Sequence, residues 1–576
     1  MQDLKNTKEF KELRARFDAV MGKGPADLLI KNVKIVDVYS ERISEGSILI
    51  KDGVIMALNP PDNVMPQEVL DGEGMYVAPG LIDAHCHIDS HLITPAAFSE
   101  CVAPNGTTTL VCEIVDIIGS AKKDGVKCVE VLFKELEKLP YRIYLQAPSK
   151  KVTWDVSRKI LEMDITINQG EFAELDFLEA KDEVLEQIVY AKKLGKPIHS
   201  HIKYLDESIY TVNMFAMVNT YNTHNVWDYK SLQASLQMGI PAMIREGVGG
   251  VLGCMDATVP DMVNYHMPTD SITFCTDDLT VDTIFNRGHI NYSLNRAIAM
   301  GISPLTAIKM GTLNAARAFH MEQYLGAVAP GRFADLIFLK DLQTIEPVWV
   351  MKGGKIVAKE GKLLEHPQID YSDIISSADP GLDDLKKEDL DIHPLEISED
   401  GTKAKIVCLF MGMPAYMEPA WVDYKDGQVV IPPEMNRMSI IQRYAKGKRK
   451  ITNGLVTQFE LKQGAMGYVY SSLAQQICVV GKEIDDLYGA ALAMDQYPGG
   501  FLSWLNGKVT SLLPAHIYSM ITTLSATEFN ERTKELKKAG EELGYYEEKA
   551  ISPWYFRMQI MSWMFDRRRY VGMEEE

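Results

Sequence analysis

The sequence predicts an α/β chain: a TIM-like (β/α)8 barrel inserted in a small β-sandwich domain and followed by a C-terminal α+β domain. Three observations predict it. Residues 79–324 alternate short apolar strands (TTTLVCEIV, YRIYLQAP, PIHSHI, IPAMIREG, SITFCTDD) with helical stretches such as DEVLEQIVYAKKLG, and strand followed by helix over about 250 residues is the pattern of a barrel. Two segments of β type, 25–78 and 325–365, flank that region and read as one small domain interrupted by the barrel. Apolar strands and helices resume beyond residue 405.

Composition fits a large soluble enzyme, with 46% hydrophobic and 24% charged residues in 576, enough for roughly two to four domains. A formal net charge of −19 disfavours nucleic acid or an acidic membrane surface as partner, because either would be repelled. The eight cysteines are scattered without a CxxC pair, as in a reduced, cytoplasmic protein. Neither a signal peptide nor an apolar run of roughly 18 residues is seen.

In order, residues 1–24 read as an amphipathic helical extension stopped at Gly22-Lys23-Gly24. From Asp27 the chain alternates apolar and polar residues with turns at Gly46 and Gly53, a small antiparallel β unit. PGLIDAHCHIDSH (79–91) then gives an apolar strand ending in His85-Cys86-His87. Two residues apart on a strand, both imidazoles project to one face and can reach one metal, whereas Cys86 points the other way and packs. His199 and His201 in PIHSH, His224 in NTHN, and Asp277-Asp278 in FCTDD follow or end further apolar segments. Together they are imidazole and carboxylate ligands for a divalent transition metal.

PGLIDAHCHIDS with NGTTTLV, the MIREG and CTDD pair, GHIN (288–291), TAIKMGTLNAARAF and LGAVAPGRFADLIFL occur in one order, and through them the chain from about 25 to 510 resembles the adenine deaminase family of the amidohydrolase superfamily. The resemblance implies two metals per chain (Mn2+, Fe2+ or Zn2+). His85, His87 and Asp277 would hold the first, His201 and His224 the second, and Glu174 would bridge them, with Glu171 and Asp176 its close neighbours. Asp277 would serve as general base and acid, with Asp278 competing for that role. His289 resembles a substrate-contacting histidine. Asp89, Asp116, Lys150, Arg245 and Glu246 are further candidates for the substrate pocket. The expected partner is a small heterocyclic substrate, and the expected assembly a homo-oligomer, dimer or higher.

This chain departs from the family around the substrate. DPHEI becomes Glu113-Ile114-Val115-Asp116-Ile117, SDHE becomes Asn222-Thr223-His224-Asn225, PSCVP becomes Pro148-Ser149-Lys150-Lys151-Val152, and AHDSHN becomes residues 471–476. The reading is a metal-dependent hydrolytic deaminase of a purine-like base, with adenine as default. Its alternatives are a hydrolase opening a cyclic amide, imide or oxidised purine ring, with Lys150 or Lys151 binding an anionic group, and a non-catalytic binding protein on the same fold. Residues 366–404 read as an acidic linker and 405–576 as an α+β domain. Its helical tail gathers Trp554, Tyr555, Phe556, Trp563, Met564 and Phe565 as core or subunit contact.

Overall fold

Alternation along Pro25–Asp37 sets how the small β domain is built. Ile35 lies in one apolar cluster with Ile48, Val77, Leu336 and Phe338, while Val36 lies in another with Ala78, Ile337 and the barrel residues Leu294 and Ile308. Successive residues of a strand face opposite sides, so one side of the sheet builds its own core and the other covers the barrel. The sheet has nine strands. Tyr76–Pro79 pairs parallel with Pro25–Asp37 and antiparallel with Leu336–Leu339, joining segments that lie on either side of the barrel in sequence.

In the computed structural model the described residues are 4–179, 181–202, 209–246, 254–377, 380–411, 416–443, 449–469, 476–545 and 557–558, without the side chains of 174, 175 and 209–211. They divide into two compact units. The first holds the nine-stranded sheet and a barrel of eight strands: β1 (Leu81–Cys86), β2 (Thr107–Cys112), β3 (Arg142–Ala147), β4 (Thr166–Ala173), β5 (Ile198–His201), β6 (Thr220–Thr223), β7 (Ala242–Arg245) and β8 (Ile272–Cys275). Each pairs parallel with the next. A parallel bridge between Cys86 and Asp277 closes the ring, with the Asp277 amide donating to the His85 carbonyl at 3.0 Å.

The second unit comprises residues 91–94, 115–132 and 370–576. Its ten-stranded sheet is antiparallel except where Lys403–Phe410 runs parallel to Ile451–Thr457. The helix Ile484–Met494 contributes Leu487, Ala490, Ala491 and Met494 to a core with Val479 and Leu502. Arg443 is fully buried and satisfied by the Asp495 carboxylate and three backbone carbonyls. Residues 471–475 and the tail aromatics Trp554, Tyr555, Phe556, Trp563, Met564 and Phe565 lie outside the described residues. Among the described residues no helix is long and apolar enough to cross a membrane.

Candidate metal centre

The barrel's strand ends bring the predicted imidazoles into one cluster. β1 delivers His85 at its end and His87 just beyond, β5 ends on His201, and His224 directly follows β6. Asp277 follows β8 with φ +56°. That left-handed conformation costs a non-glycine residue about 1 kcal/mol or more. It turns the chain so that the Asp277 amide meets β1 while its carboxylate meets the histidines.

The carboxylate at the centre is Glu171, near the end of β4. Its Oε1 lies 3.0 Å from His224 Nε2, 3.3 Å from His201 Nδ1, 3.5 Å from His85 Nε2 and 3.9 Å from His87 Nε2. Glu174, predicted to bridge, opens the helix that follows, and its side chain is outside the described residues. Asp277 Oδ1 lies 3.4 Å from His87 Nε2 and 3.8 Å from His85 Nε2. The ring nitrogens approach one another closely, His85 Nε2 to His87 Nε2 at 3.1 Å and His201 Nδ1 to His224 Nε2 at 2.9 Å.

These spacings fit metal binding. Ligand bonds of about 2.0–2.2 Å to one ion put neighbouring donor atoms about 3–3.5 Å apart. His85, His87 and Asp277 form one such group, and Glu171, His201 and His224 another. A divalent metal suits this all-imidazole and carboxylate set.

Charge shapes the same cluster. Burial raises the Glu171 carboxyl, but Lys150 and the imidazoles of His201 and His224 outweigh it and hold Glu171 well below the usual carboxylate range. Burial likewise opposes Asp277, where His87 and Arg245 prevail and keep it ionised. Burial lowers His87, but Asp277, Asp278 and Glu171 carry it well above the ordinary imidazole value. His224 is held well below that value by burial and by His85.

Several pocket candidates prove to be tied within the protein. Lys150 Nζ donates to Glu171 Oε2 at 2.9 Å. Arg245 is 2% exposed; it donates to Asp277 Oδ2 at 2.5 Å and to Asn225 Oδ1 at 2.7 Å, and its guanidinium lies over Trp227. Glu246 pairs with Arg287 and Arg296, not with its neighbour Arg245. Asp278 is raised by burial and by Asp277, and bonds Ser90. Asp89 is buried and accepts from the Ser90 amide. Asp116 is buried in the helix Val115–Ala121 of the second unit. Cys86 is buried packing, as its strand position predicts.

His289 does not join the ligand cluster. Its Nδ1 lies 2.8 Å from Thr107 Oγ1 and its Nε2 3.2 Å from Asp83 Oδ2. Asp83 also accepts from the amides of His85 and Thr276 and from the Thr276 hydroxyl, so His289 supports the seam where β8 meets β1.

Three residues of the centre carry no predicted role. Gln146 Oε1 lies 2.8 Å from His85 Nδ1, and Asn222 Oδ1 meets His199 Nδ1. Glu113 joins a group with His87 and Glu171, and burial and the Glu171 charge push its carboxyl up to about 8. The signal for Glu113 was its place directly after β2, where a barrel puts functional groups.

Comparison with known proteins agrees with this geometry. Residues 76–357 match the amidohydrolase family, and residues 417–561 match the adenine deaminase C-terminal domain. The chain is 33% identical over 542 residues to the adenine deaminase of Desulforamulus reducens, covering 91% of this chain and 90% of that one. It is 29% identical to the adenine deaminase of Kosmotoga olearia, with coverages of 91% and 90%. To that of Bacillus subtilis it is 27% identical, with coverages of 90% and 89%. The chain belongs to the adenine deaminase family of the amidohydrolase superfamily.

Proposed function

We propose that this protein hydrolyses the exocyclic C–N bond of a purine-like base, converting adenine and water to hypoxanthine and ammonia at a two-metal centre. One observation carries the reading: Glu171 Oε1 stands within 3.9 Å of four histidine nitrogens, with Asp277 beside His85 and His87. His85, His87 and Asp277 would hold one ion, His201 and His224 the other, and Glu171 would serve both. Manganese, iron and zinc all suit these donors. When bound, such ions make hydroxide available from water near neutral pH and polarise the group under attack.

The protein's own groups manage position and protons. Asp277 Oδ2 is fixed by Arg245, which leaves Oδ1 facing the ligand histidines. From there it can take the proton of the attacking water and return it to the departing nitrogen, so that ammonia leaves as the new C–O bond completes. Glu113 stands beside this centre, where its Oε1 accepts from the Glu171 amide at 3.3 Å and burial with the Glu171 charge pushes its carboxyl up. Lys150 is paired with Glu171, so one of the two lysines that a ring-opening enzyme would use for an anionic substrate is engaged at the centre.

The test is mass spectrometry of products from manganese-loaded protein given adenine, other aminopurines, oxopurines and cyclic ureides, with His85→Ala as control. The expected result is exchange of an amino nitrogen for oxygen in an aminopurine, absent in the control. A ring that gains a whole water would overturn the deaminase reading.

A further inference from the structure

His199 is fully buried and falls in a possible ligand group with His85 and His224, but neither the two metal groups above nor the reaction uses it. Its ring stacks near His85 and His224, with centroids 4.8 and 5.0 Å away. Its Nε2 lies 2.8 Å from His224 Nδ1, and its Nδ1 meets Asn222 Oδ1. Asn222 Nδ2 in turn donates to the Ala318 carbonyl at 2.9 Å.

This chain of contacts has a direction. A backbone carbonyl only accepts, so it fixes the Asn222 amide with Nδ2 toward Ala318 and Oδ1 toward His199. Oδ1 also only accepts, so His199 Nδ1 carries the hydrogen. A neutral His199 then has a bare Nε2, which must accept from His224 Nδ1. That leaves His224 Nε2 without hydrogen, facing Glu171 Oε1 at 3.0 Å and His201 Nδ1 at 2.9 Å. Lone pairs converge there, and a cation satisfies them.

We propose that His199 is a positioning residue for the metal: with Asn222 and the Ala318 carbonyl, it sets the tautomer that presents His224 Nε2 as a ligand. The inference rests on the metal-centre reading above. A metal-binding histidine commonly gives its other N–H to a carboxylate, carbonyl or water; in this chain a second imidazole accepts it, oriented by the asparagine that stands in place of the first residue of the family's SDHE segment. Asn222 is thus part of the departure noted in the sequence, and the relay gives that departure a purpose.

The experiment is Mn2+ affinity of the metal-free full chain, by competition with a chromophoric chelator, together with metal content. His199→Phe, which fills the space without accepting, should weaken binding by about 10- to 100-fold. His199→Gln, whose side-chain carbonyl can accept the His224 hydrogen, should restore most of that loss. Asn222→Leu, which cannot accept the His199 hydrogen, should follow the phenylalanine variant, and it decides the matter if His199→Phe does not fold. Affinity of His199→Phe or of Asn222→Leu within twofold of wild type would overturn the proposal. So would outright loss of a metal equivalent in His199→Gln, which would make His199 a ligand. Wild-type protein that takes up no Mn2+ would instead sink the metal-centre reading itself.

Discussion

Arg245 shows how much of this site is built from pairs that cannot be separated cheaply. It and Asp277 are almost completely buried, 2% and 4% exposed, and the guanidinium holds the carboxylate from the side away from the histidines. Removing one partner of such a pair leaves an uncompensated charge in the interior, a loss of about 3–5 kcal/mol. Arg245→Met in metal-free protein should therefore lower the chemical-denaturation midpoint by a corresponding amount. An unchanged midpoint would mean that the histidines alone hold Asp277. Asn225 takes the second arm of the same guanidinium, so a neutral residue in place of the family's glutamate leaves Arg245 positive charge to offer Asp277.

At the scale of elements, the ligands depend on strands being packed close. Gly170 lets β4 approach β5: a Cβ there would meet the His199 Cβ and carbonyl oxygen at 2.7 Å. Overpacking of this kind costs about 1–3 kcal/mol, and here it would push the strand that carries His199 and His201. Gly170→Ala should both lower the thermal midpoint and weaken Mn2+ binding, and wild-type values for both would show the strand has room. The strand pattern also explains what the sequence made legible. Period-two spacing put His85 and His87 on one face, and His199, His201, His224 and the Asp277-Asp278 pair came at or after the end of apolar runs, so the members of the cluster could be read as candidates, while their division between two ions came from the family resemblance. Glu171 was harder, because QGEFAELD holds three carboxylates within six residues and no apolar run marks where β4 stops. The contacts of His289 with Asp83 and Thr107 were not legible, because they are tertiary and local pattern does not contain them.

For the whole molecule, the interrupted β domain was legible because its two pieces alternate in the same way and Tyr76–Pro79 must pair with something. The grouping of residues 115–132 with the second unit was not, since an apolar helix announces that it will be covered without saying by what. The barrel's central feature is the Glu171 carboxylate placed among four histidines. Its most direct test is metal content by inductively coupled plasma mass spectrometry of manganese-loaded wild type, Glu171→Gln and Glu174→Gln. Wild type and Glu174→Gln should carry about two equivalents per chain, and Glu171→Gln should lose at least one of them. Full metal in Glu171→Gln with loss in Glu174→Gln would contradict the centre described above.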